Sequence, residues 1–261
     1  MNRIQQKFLE LKRKNKKALI AYTMAGYPSF ETTGRIILGQ EASGVDIIEL
    51  GVPFSDPILD GKTIQLAAQK ALERNVTIDK ILKFVLGLRK KTNIPVILMS
   101  YLNPIDCYPL DSFLKKASFS GVDGLIIPDL SFEESKAYIS KIKNNGLDLI
   151  QFVSPTTSKF RMKKILDASM GFTYCISLTG VTGARKSLPG EVFKFLNGVK
   201  KIAEKPLALG IGISEPRQVN EIKHLVDGII VGSAFVNIIH KGKNIINKTI
   251  YLSKILRKAL G

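Results

Sequence analysis

Short apolar runs alternate with amphipathic segments along most of the chain. Eight runs rich in Ile, Val and Leu are typical of parallel strands buried on both faces, and they lie at 18–23, 47–50, 95–101, 121–127, 147–150, 172–177, 206–209 and 226–231. Helical periodicity fills the intervals, at 30–42, 64–72, 78–88, 110–117, 133–143, 161–168, 191–203 and 216–225. Two further helices are indicated at the ends, one around Ile4, Phe8 and Leu11 and one over 245–260.

This alternation over 261 residues predicts an α/β fold, a (βα)8 TIM barrel with extra N- and C-terminal helices. An open, doubly wound sheet stays the alternative, because periodicity does not show whether a sheet closes on itself. No linker, low-complexity segment or change in composition interrupts the chain. We therefore expect one domain spanning residues 1–261.

One short phrase recurs before the predicted strands: a glycine, an apolar residue, an aspartate and then an apolar run. It occurs as Gly44-Val45-Asp46, Gly121-Val122-Asp123 and Gly146-Leu147-Asp148, and a variant without the leading glycine occurs at Val226-Asp227. Each phrase follows a helical segment, so the glycine is interpreted as the residue that ends the helix and leads into a buried strand.

Composition narrows the class of protein. Hydrophobic residues make up 45% of the chain, which is enough for a large core, yet no apolar run approaches the roughly 20 residues of a membrane span. The first residues lack the apolar segment of a secretory signal. The two cysteines, Cys107 and Cys175, offer neither a disulfide framework nor a metal-binding spacing, so a reducing cytoplasm is the expected location.

The net charge of +17 raises the alternative of binding to nucleic acid or another anionic surface. The lysines are spread over many predicted helices, however, and no basic stretch interleaved with aromatic residues is present. A solvated basic surface is the favoured interpretation.

Two acidic residues stand where a parallel barrel carries its chemistry. Glu49 lies at the end of the second predicted strand, between apolar neighbours, and Asp60 follows in the next loop. Burial of Glu49 would raise its pKa towards the range of a general acid or base. Separately, Glu49 could pair with a basic residue at the barrel rim and Asp60 could cap a helix; together, a catalytic pair is the favoured hypothesis.

Glycines after the seventh and eighth predicted strands suggest a phosphate site. Gly210-Ile211-Gly212 follows one strand, and Gly232-Ser233 follows the other and opens a short helix. Glycine lets backbone N–H groups approach a phosphate, and barrels often bind phosphate here. The loop 177–185 after the sixth strand, rich in glycine and small polar residues, is predicted to be a lid.

The sequence lacks the motifs of several other kinds of catalytic site. His224 and His240 fall in predicted helices away from strand ends, and with the cysteines they form no zinc-ligand set. No nucleotide-binding glycine loop is present, and no lysine stands at a core strand end as a Schiff-base former would.

The chain resembles the tryptophan synthase alpha chain family over essentially its whole length. The resemblance rests on Glu49-Leu50-Gly51-Val52-Pro53-Phe54-Ser55-Asp56-Pro57, on Asp60-Gly61 with Thr63-Ile64-Gln65, on Gly180-Val181-Thr182-Gly183 and on Gly210-Ile211-Gly212-Ile213. It implies a lyase that cleaves indole-3-glycerol phosphate to indole and glyceraldehyde 3-phosphate by a retro-aldol reaction without a metal.

The resemblance also implies roles for individual residues. Glu49 would be the general acid/base, and Asp60, kept anionic in a more polar loop, would stabilise charge on the indole ring through its N–H. The indole pocket, the lid and the phosphate site would be formed by Tyr22, Tyr101, Pro128, Val153 and Tyr174, by Thr182, and by Gly183, Gly212, Gly232 and Ser233. Lys62 and Tyr22 depart from the family pattern, in which proline and phenylalanine are common.

A partner is implied as well. The family assembles with a beta chain, as an α2β2 heterotetramer, and the segment from Pro53 to Asp56 would face that chain. Pyridoxal phosphate would belong to the beta chain, so no cofactor and no metal are expected here. An activating subunit that has lost its own chemistry is an alternative, against which the intact Glu49 and Asp60 argue.

Overall fold

Eight parallel strands close into a barrel. The computed structural model describes residues 1–176, 190–210 and 212–261. The strands follow one another in chain order, and the last pairs with the first. They are β1 (Ala18–Met24), β2 (Ile47–Gly51), β3 (Val96–Met99), β4 (Gly124–Ile126), β5 (Asp148–Val153), β6 (Thr173–Ile176), β7 (Leu207–Gly210) and β8 (Gly228–Val231). The predicted (βα)8 barrel is confirmed, and the open sheet is excluded.

Helices surround the barrel. The described residues form α1 (Arg3–Arg13), α2 (Phe30–Glu41), α3 (Lys62–Leu72), α4 (Ile78–Leu88), α5 (Leu102–Asp106), α6 (Leu110–Ser120), α7 (Phe132–Asn144), α8 (Lys159–Ala168), α9 (Gly190–Lys200), α10 (Pro216–Ile222), α11 (Ser233–His240) and α12 (Ile245–Leu260). Serine and threonine caps begin several of them; Ser131, for example, forms a capping box with Glu134 at α7.

The core has two parts, separated by the strands. Alternate residues of each strand point inward, where isoleucines such as Ile20, Ile47 and Ile97 fill the barrel. The residues between them point outward and pack under the helices in a larger cluster. Helix α1 closes the N-terminal end of the barrel, since Ile4, Phe8 and Leu11 join the interior cluster and the Phe8 and Phe172 rings lie 5.5 Å apart.

The recurring glycines end helices, as the sequence predicts. Gly44, Gly121 and Gly146 have φ angles of +92°, +91° and +75°, in the left-handed region that a side chain disfavours. The aspartate two residues later therefore arrives at the N-terminal end of the next strand.

The helix assignments differ from the sequence prediction at several helix ends and in one additional helix. Helix α5 was not predicted, because five residues that include Asn103-Pro104 show no periodicity. Helix α10 ends at Ile222, so that His224 lies in the turn after it rather than in a helix. In the described part of the chain, no helix has the length and apolar character needed to cross a membrane.

Candidate active site at the C-terminal mouth of the barrel

Glu49 is a buried acid inside the barrel. It lies on β2 between Tyr22 of β1 and Ile97 of β3, and only 1% of its surface is exposed. Its Oε1 atom has no hydrogen-bond partner, and no ion pair to Glu49 occurs among the described residues. The rim ion pair considered from the sequence is therefore not observed there.

Burial, and to a smaller extent the charge of Asp60, together raise the pKa of Glu49 to about 8. The cause is desolvation, which penalises the carboxylate more than the neutral acid. At neutral pH Glu49 is mainly protonated and close to the point at which it ionises. That state suits a group that must both give and take a proton.

Asp60 lies in the loop between β2 and α3, and that loop is held at both ends. The Leu59 N–H donates to the Tyr101 hydroxyl at 3.0 Å, and the Tyr101 ring lies 5.2 Å from that of Phe54. On the other side, the Gln65 side chain of α3 donates to the Asp60 carbonyl at 2.9 Å. The loop is thus fixed by the residue after β3 and by the helix that follows it.

The Asp60 carboxyl does not cap α3, because Gly61 is the N-cap residue and no side-chain capping bond is made. Burial raises the pKa of Asp60 to about 6, partly offset by a hydrogen bond from Tyr101. The environment is thus less polar than the resemblance led us to expect. Asp60 still ionises at a lower pH than Glu49, so the two acids hold different charges near pH 7.

Two tyrosines stand beside the acids. An added Cβ at Gly51 would overlap the Tyr22 hydroxyl, and one at Gly210 would overlap the Tyr174 hydroxyl. Each ring therefore rests on the backbone at the end of a neighbouring strand, where only glycine leaves room. Burial, and then the charges of Glu49 and Asp60, raise the pKa of both phenols well above the usual range.

The predicted indole pocket is only partly assembled. Tyr22, Tyr101 and Tyr174 lie near the two acids, and Pro128 follows the end of β4 at a half-buried position. Val153 does not join them: it packs in the cluster under the helices, on the opposite face of β5 from Phe152. Phe152, whose ring lies 5.0 Å from that of Tyr174, was missed from the sequence. Strand alternation could have found it, because it shares a face with Ile150.

The predicted phosphate site lies partly in described residues. Gly232 precedes α11, which Ser233 begins, and no side-chain bond caps this helix. Gly212 follows the adjacent strand β7 with a φ of +28°. Thr182 and Gly183, and with them the predicted lid, lie outside the described residues. The two residues of this chain that are predicted to face a partner differ in exposure: Pro53 is buried and Asp56 is exposed.

Among the described residues no group of three or more His, Cys, Asp or Glu side chains is arranged to hold a metal ion. His240 ends α11, as predicted, and contacts Tyr27 and Thr63 rather than the two acids.

A closed (βα)8 barrel with two carboxyl groups of raised pKa at its C-terminal mouth, the face at which barrel enzymes carry their active sites, is the architecture of a barrel enzyme. Comparison with known proteins identifies the enzyme family to which the chain belongs. The sequence model of the family described as "Tryptophan synthase alpha chain" matches residues 8–259. The chain therefore belongs to the tryptophan synthase alpha chain family, lyases that cleave indole-3-glycerol phosphate in tryptophan biosynthesis.

Individual relatives support the same family assignment. The tryptophan synthase alpha chain of Carboxydothermus hydrogenoformans is 48% identical over 239 residues, which are 92% of this chain and 90% of that protein. The crystal structure of tryptophan synthase subunit alpha from Legionella pneumophila is 35% identical, covers 100% of this chain and 98% of its own, and superimposes with a TM-score of 0.92.

A third structure, of the tryptophan synthase a2b2 complex of Pyrococcus furiosus, is described as the basis of mutual activation in that complex. It is 34% identical, with a TM-score of 0.88, and covers 92% of this chain and 98% of its own.

Proposed function

We propose that Glu49 is the general acid/base of the lyase reaction. The observation that carries this role is the burial of Glu49 inside the barrel with its Oε1 unpaired and its pKa raised to about 8. Cleavage breaks the bond between indole C3 and the side chain, so that C3 gains a proton and the side-chain hydroxyl loses one. Glu49, protonated at neutral pH, gives its proton to C3 and then takes the hydroxyl proton, which restores it.

Asp60 stabilises the positive charge that develops on the indole ring, by accepting a hydrogen bond from the ring N–H. With a pKa of about 6 it is mostly ionised above neutrality. Hydrogen bonds that join its loop to Tyr101 and Gln65 restrain the loop, which limits the positions that the carboxylate can take before the substrate arrives.

The aromatic side chains beside the acids form the indole pocket: Tyr22, Tyr101, Phe152 and Tyr174, with Pro128 at the edge. Val153 contributes from behind the strand, by packing under the helices. The substrate phosphate binds the uncapped N–H groups at the start of α11, at Gly232 and Ser233, with Gly212 on the adjacent loop. Gly183 and the lid residue Thr182 complete this site in the proposal.

Replacement of each acid tests these roles. Glu49→Gln and Asp60→Asn should each lower kcat for indole release by roughly 10²–10⁴-fold, the usual contribution of general acid/base groups. Because both replacements keep the shape of the side chain, and remove only the exchangeable proton of Glu49 or the charge of Asp60, the thermal unfolding midpoint should not fall. A Glu49→Gln protein with near-normal turnover would show that another group moves the proton.

We also propose that the chain assembles with a tryptophan synthase beta chain in an α2β2 heterotetramer. Supporting this, residues 54–58 of the loop that runs from Phe54 to Lys62 line, together with residues of α3, a surface groove of about 500 Å³. Next to Asp56 the loop exposes Ile58 and Leu59, whose side chains are 80% and 59% accessible. Pro53, the other residue of this proposed interface, is buried immediately before this loop.

The partner proposal predicts low activity of the isolated chain and stimulation by a beta chain, which would hold the Asp60 loop in its productive conformation. Asp56→Ala should leave the isolated rate unchanged and weaken the stimulation. Equal rates with and without the beta chain, together with unaltered assembly of the Asp56 variant, would contradict it.

We propose further that this chain needs no cofactor of its own, that pyridoxal phosphate belongs to the beta chain, that the protein is cytoplasmic, and that residues 1–261 form one domain. The +17 charge is assigned to a solvated surface. Salt-sensitive binding to random-sequence DNA at physiological ionic strength would revive the nucleic-acid alternative.

A further inference from the structure

Helix α11 is hydrogen-bonded to the first turn of α3 through a histidine to which the proposed reaction gives no role. His240, the last residue of α11, has its Nε2 atom 3.0 Å from the Thr63 carbonyl and its Nδ1 atom 2.8 Å from the Tyr27 hydroxyl. All three residues are partly buried. The imidazole therefore bridges α11, the loop after β1 and the beginning of α3.

The chemistry of the partners fixes the direction of both bonds. A backbone carbonyl only accepts, so Nε2 of His240 carries the hydrogen and donates to Thr63. In the neutral ring Nδ1 is then the acceptor, and it receives the Tyr27 O–H. The Thr63 carbonyl thus selects the tautomer, and the Tyr27 hydroxyl, which can either donate or accept, matches it by donating.

A second bond joins the same two helices. The Thr63 hydroxyl donates to the Asn237 Oδ1 atom at 3.2 Å, one turn before His240 on α11. Both atoms of Thr63 that face α11 are consequently engaged, one on the backbone and one on the side chain.

The first turn of α3 in turn holds Asp60. The Gly61 carbonyl accepts from the N–H groups of Ile64 and Gln65, and the Gln65 side chain donates to the carbonyls of Asp60 and Pro57 at 2.9 and 3.3 Å. Since Gly61 provides no side-chain cap, these bonds and the α11 contacts are what orders the turn.

We propose that His240 is a positioning residue, supported by Asn237, that fixes Asp60 relative to the start of α11. This rests on the proposed function, in which α11 begins at the substrate phosphate and Asp60 contacts the indole ring. The hydrogen bonds that join His240 and Asn237 of α11 to Thr63 of α3 form a strut. This strut connects the phosphate end of the substrate site with the indole end. A loosened strut lets the Asp60 carboxylate leave its productive position while the phosphate site at the other end of α11 is unchanged.

Two replacements of His240 separate positioning from packing. In His240→Gln the amide reaches the place of Nε2 and can still donate to Thr63. In His240→Asn the shorter amide reaches only the place of Nδ1, so the bond to Tyr27 can form and the bond to Thr63 cannot. Lys241→Gln, at the neighbouring exposed position, is the matched control.

We expect His240→Asn to lower kcat by about three- to tenfold, the range of one hydrogen bond, with KM within about twofold of wild type. His240→Gln and Lys241→Gln should retain kcat within about twofold. An activity-independent measurement is limited trypsin digestion with mass spectrometry: cleavage after the exposed Lys62 should accelerate in His240→Asn alone.

Two results would overturn the proposal. One is wild-type kcat and wild-type cleavage after Lys62 in a folded His240→Asn protein. The other is an equal loss in the Asn and Gln variants that parallels lower unfolding midpoints, which indicates packing alone. If the wild-type chain releases no indole, the proposed function fails instead, while the trypsin comparison still decides whether the strut holds the loop.

Discussion

The two ends of the barrel treat buried carboxyl groups in opposite ways. At the N-terminal end, Asp123 accepts from Arg3, from Arg89 and from the Val96 N–H, each at 2.8 Å. At the C-terminal end, Glu49 is equally buried but its Oε1 has no partner. The oxygens of Asp123 are thus engaged by two guanidinium groups and a backbone N–H, whereas Glu49 keeps an oxygen with which it can exchange a proton with a substrate.

The aspartates of the recurring phrase share this N-terminal role. Asp46 accepts from the Leu19 N–H and from Arg257 of α12, and Asp227 accepts from the Leu207 N–H. They tie the start of one strand to its neighbour, and Asp46 also ties in the C-terminal helix. The hydrogen bonding of Asp148 is less complete. Gln5 donates to its Oδ1 atom, while its Oδ2 atom is unpaired, and burial raises the pKa of Asp148. The motif therefore serves stability, and the acids at the other end serve chemistry.

The largest effect that would separate the two ends is expected at Asp123. Asp123→Ala removes three partners at once and leaves the Arg89 charge buried and less well paired. Loss of one partner of a buried ion pair typically costs about 3–5 kcal/mol of unfolding free energy, so that loss is expected in urea denaturation. The kcat of the remaining folded protein should be close to wild type. Lost turnover at unchanged stability would break the division between the two ends.

At the C-terminal end, Gly51→Ala should lower both the unfolding free energy and kcat. The added methyl group overlaps the Tyr22 ring, and overpacking of this kind costs about 1–3 kcal/mol. Displacement of Tyr22 towards Glu49 should also lower kcat. Comparison with Gly87→Ala, a helical position at which an added Cβ meets no atom within 4 Å, controls for the mutation itself. If the two variants behave alike, the tyrosine does not depend on the glycine.

The pH dependence of activity should reflect the ionisation of the two acids at the C-terminal end alone. The proposed reaction needs Asp60 ionised and Glu49 protonated, with pKa values of about 6 and about 8. Activity should therefore fall below pH 6, where Asp60 gains its proton, and above pH 8, where Glu49 loses its proton. The slope outside this window is about tenfold per pH unit, and because the two acids interact, both limits belong to the pair. A profile flat from pH 5 to 9 would contradict these assignments.

The smallest effect is expected far from both ends. Arg161 and Glu133 form an exposed ion pair on the outer helices, with two hydrogen bonds of 2.9 and 2.7 Å. Exposed pairs contribute little, because solvent and salt screen them. Glu133→Gln should shift neither the unfolding midpoint nor kcat measurably. A clear loss of stability would show that carboxylate pairing on the surface matters as much as pairing at the barrel end.

The fold could be predicted because each strand and helix carries its own local signal. Isoleucine-rich runs buried on both faces, helical periodicity and helix-ending glycines all act over a few residues, so the eight strands were found in order. Closure of the barrel needed the pairing of β8 with β1, which joins residues more than 200 positions apart. No local pattern encodes that pairing.

The same distinction applies to the site. Local sequence signals are enough to place Glu49 at the end of a buried strand, Asp60 in the loop that follows and Gly232 before α11. The tertiary structure was needed to show that Asp60 is buried enough for its pKa to rise to about 6. It likewise decided that His240 reaches Thr63, across 177 positions. The physical reason is that burial, desolvation and hydrogen bonding depend on which surfaces meet, and in a closed barrel those surfaces come from distant parts of the chain.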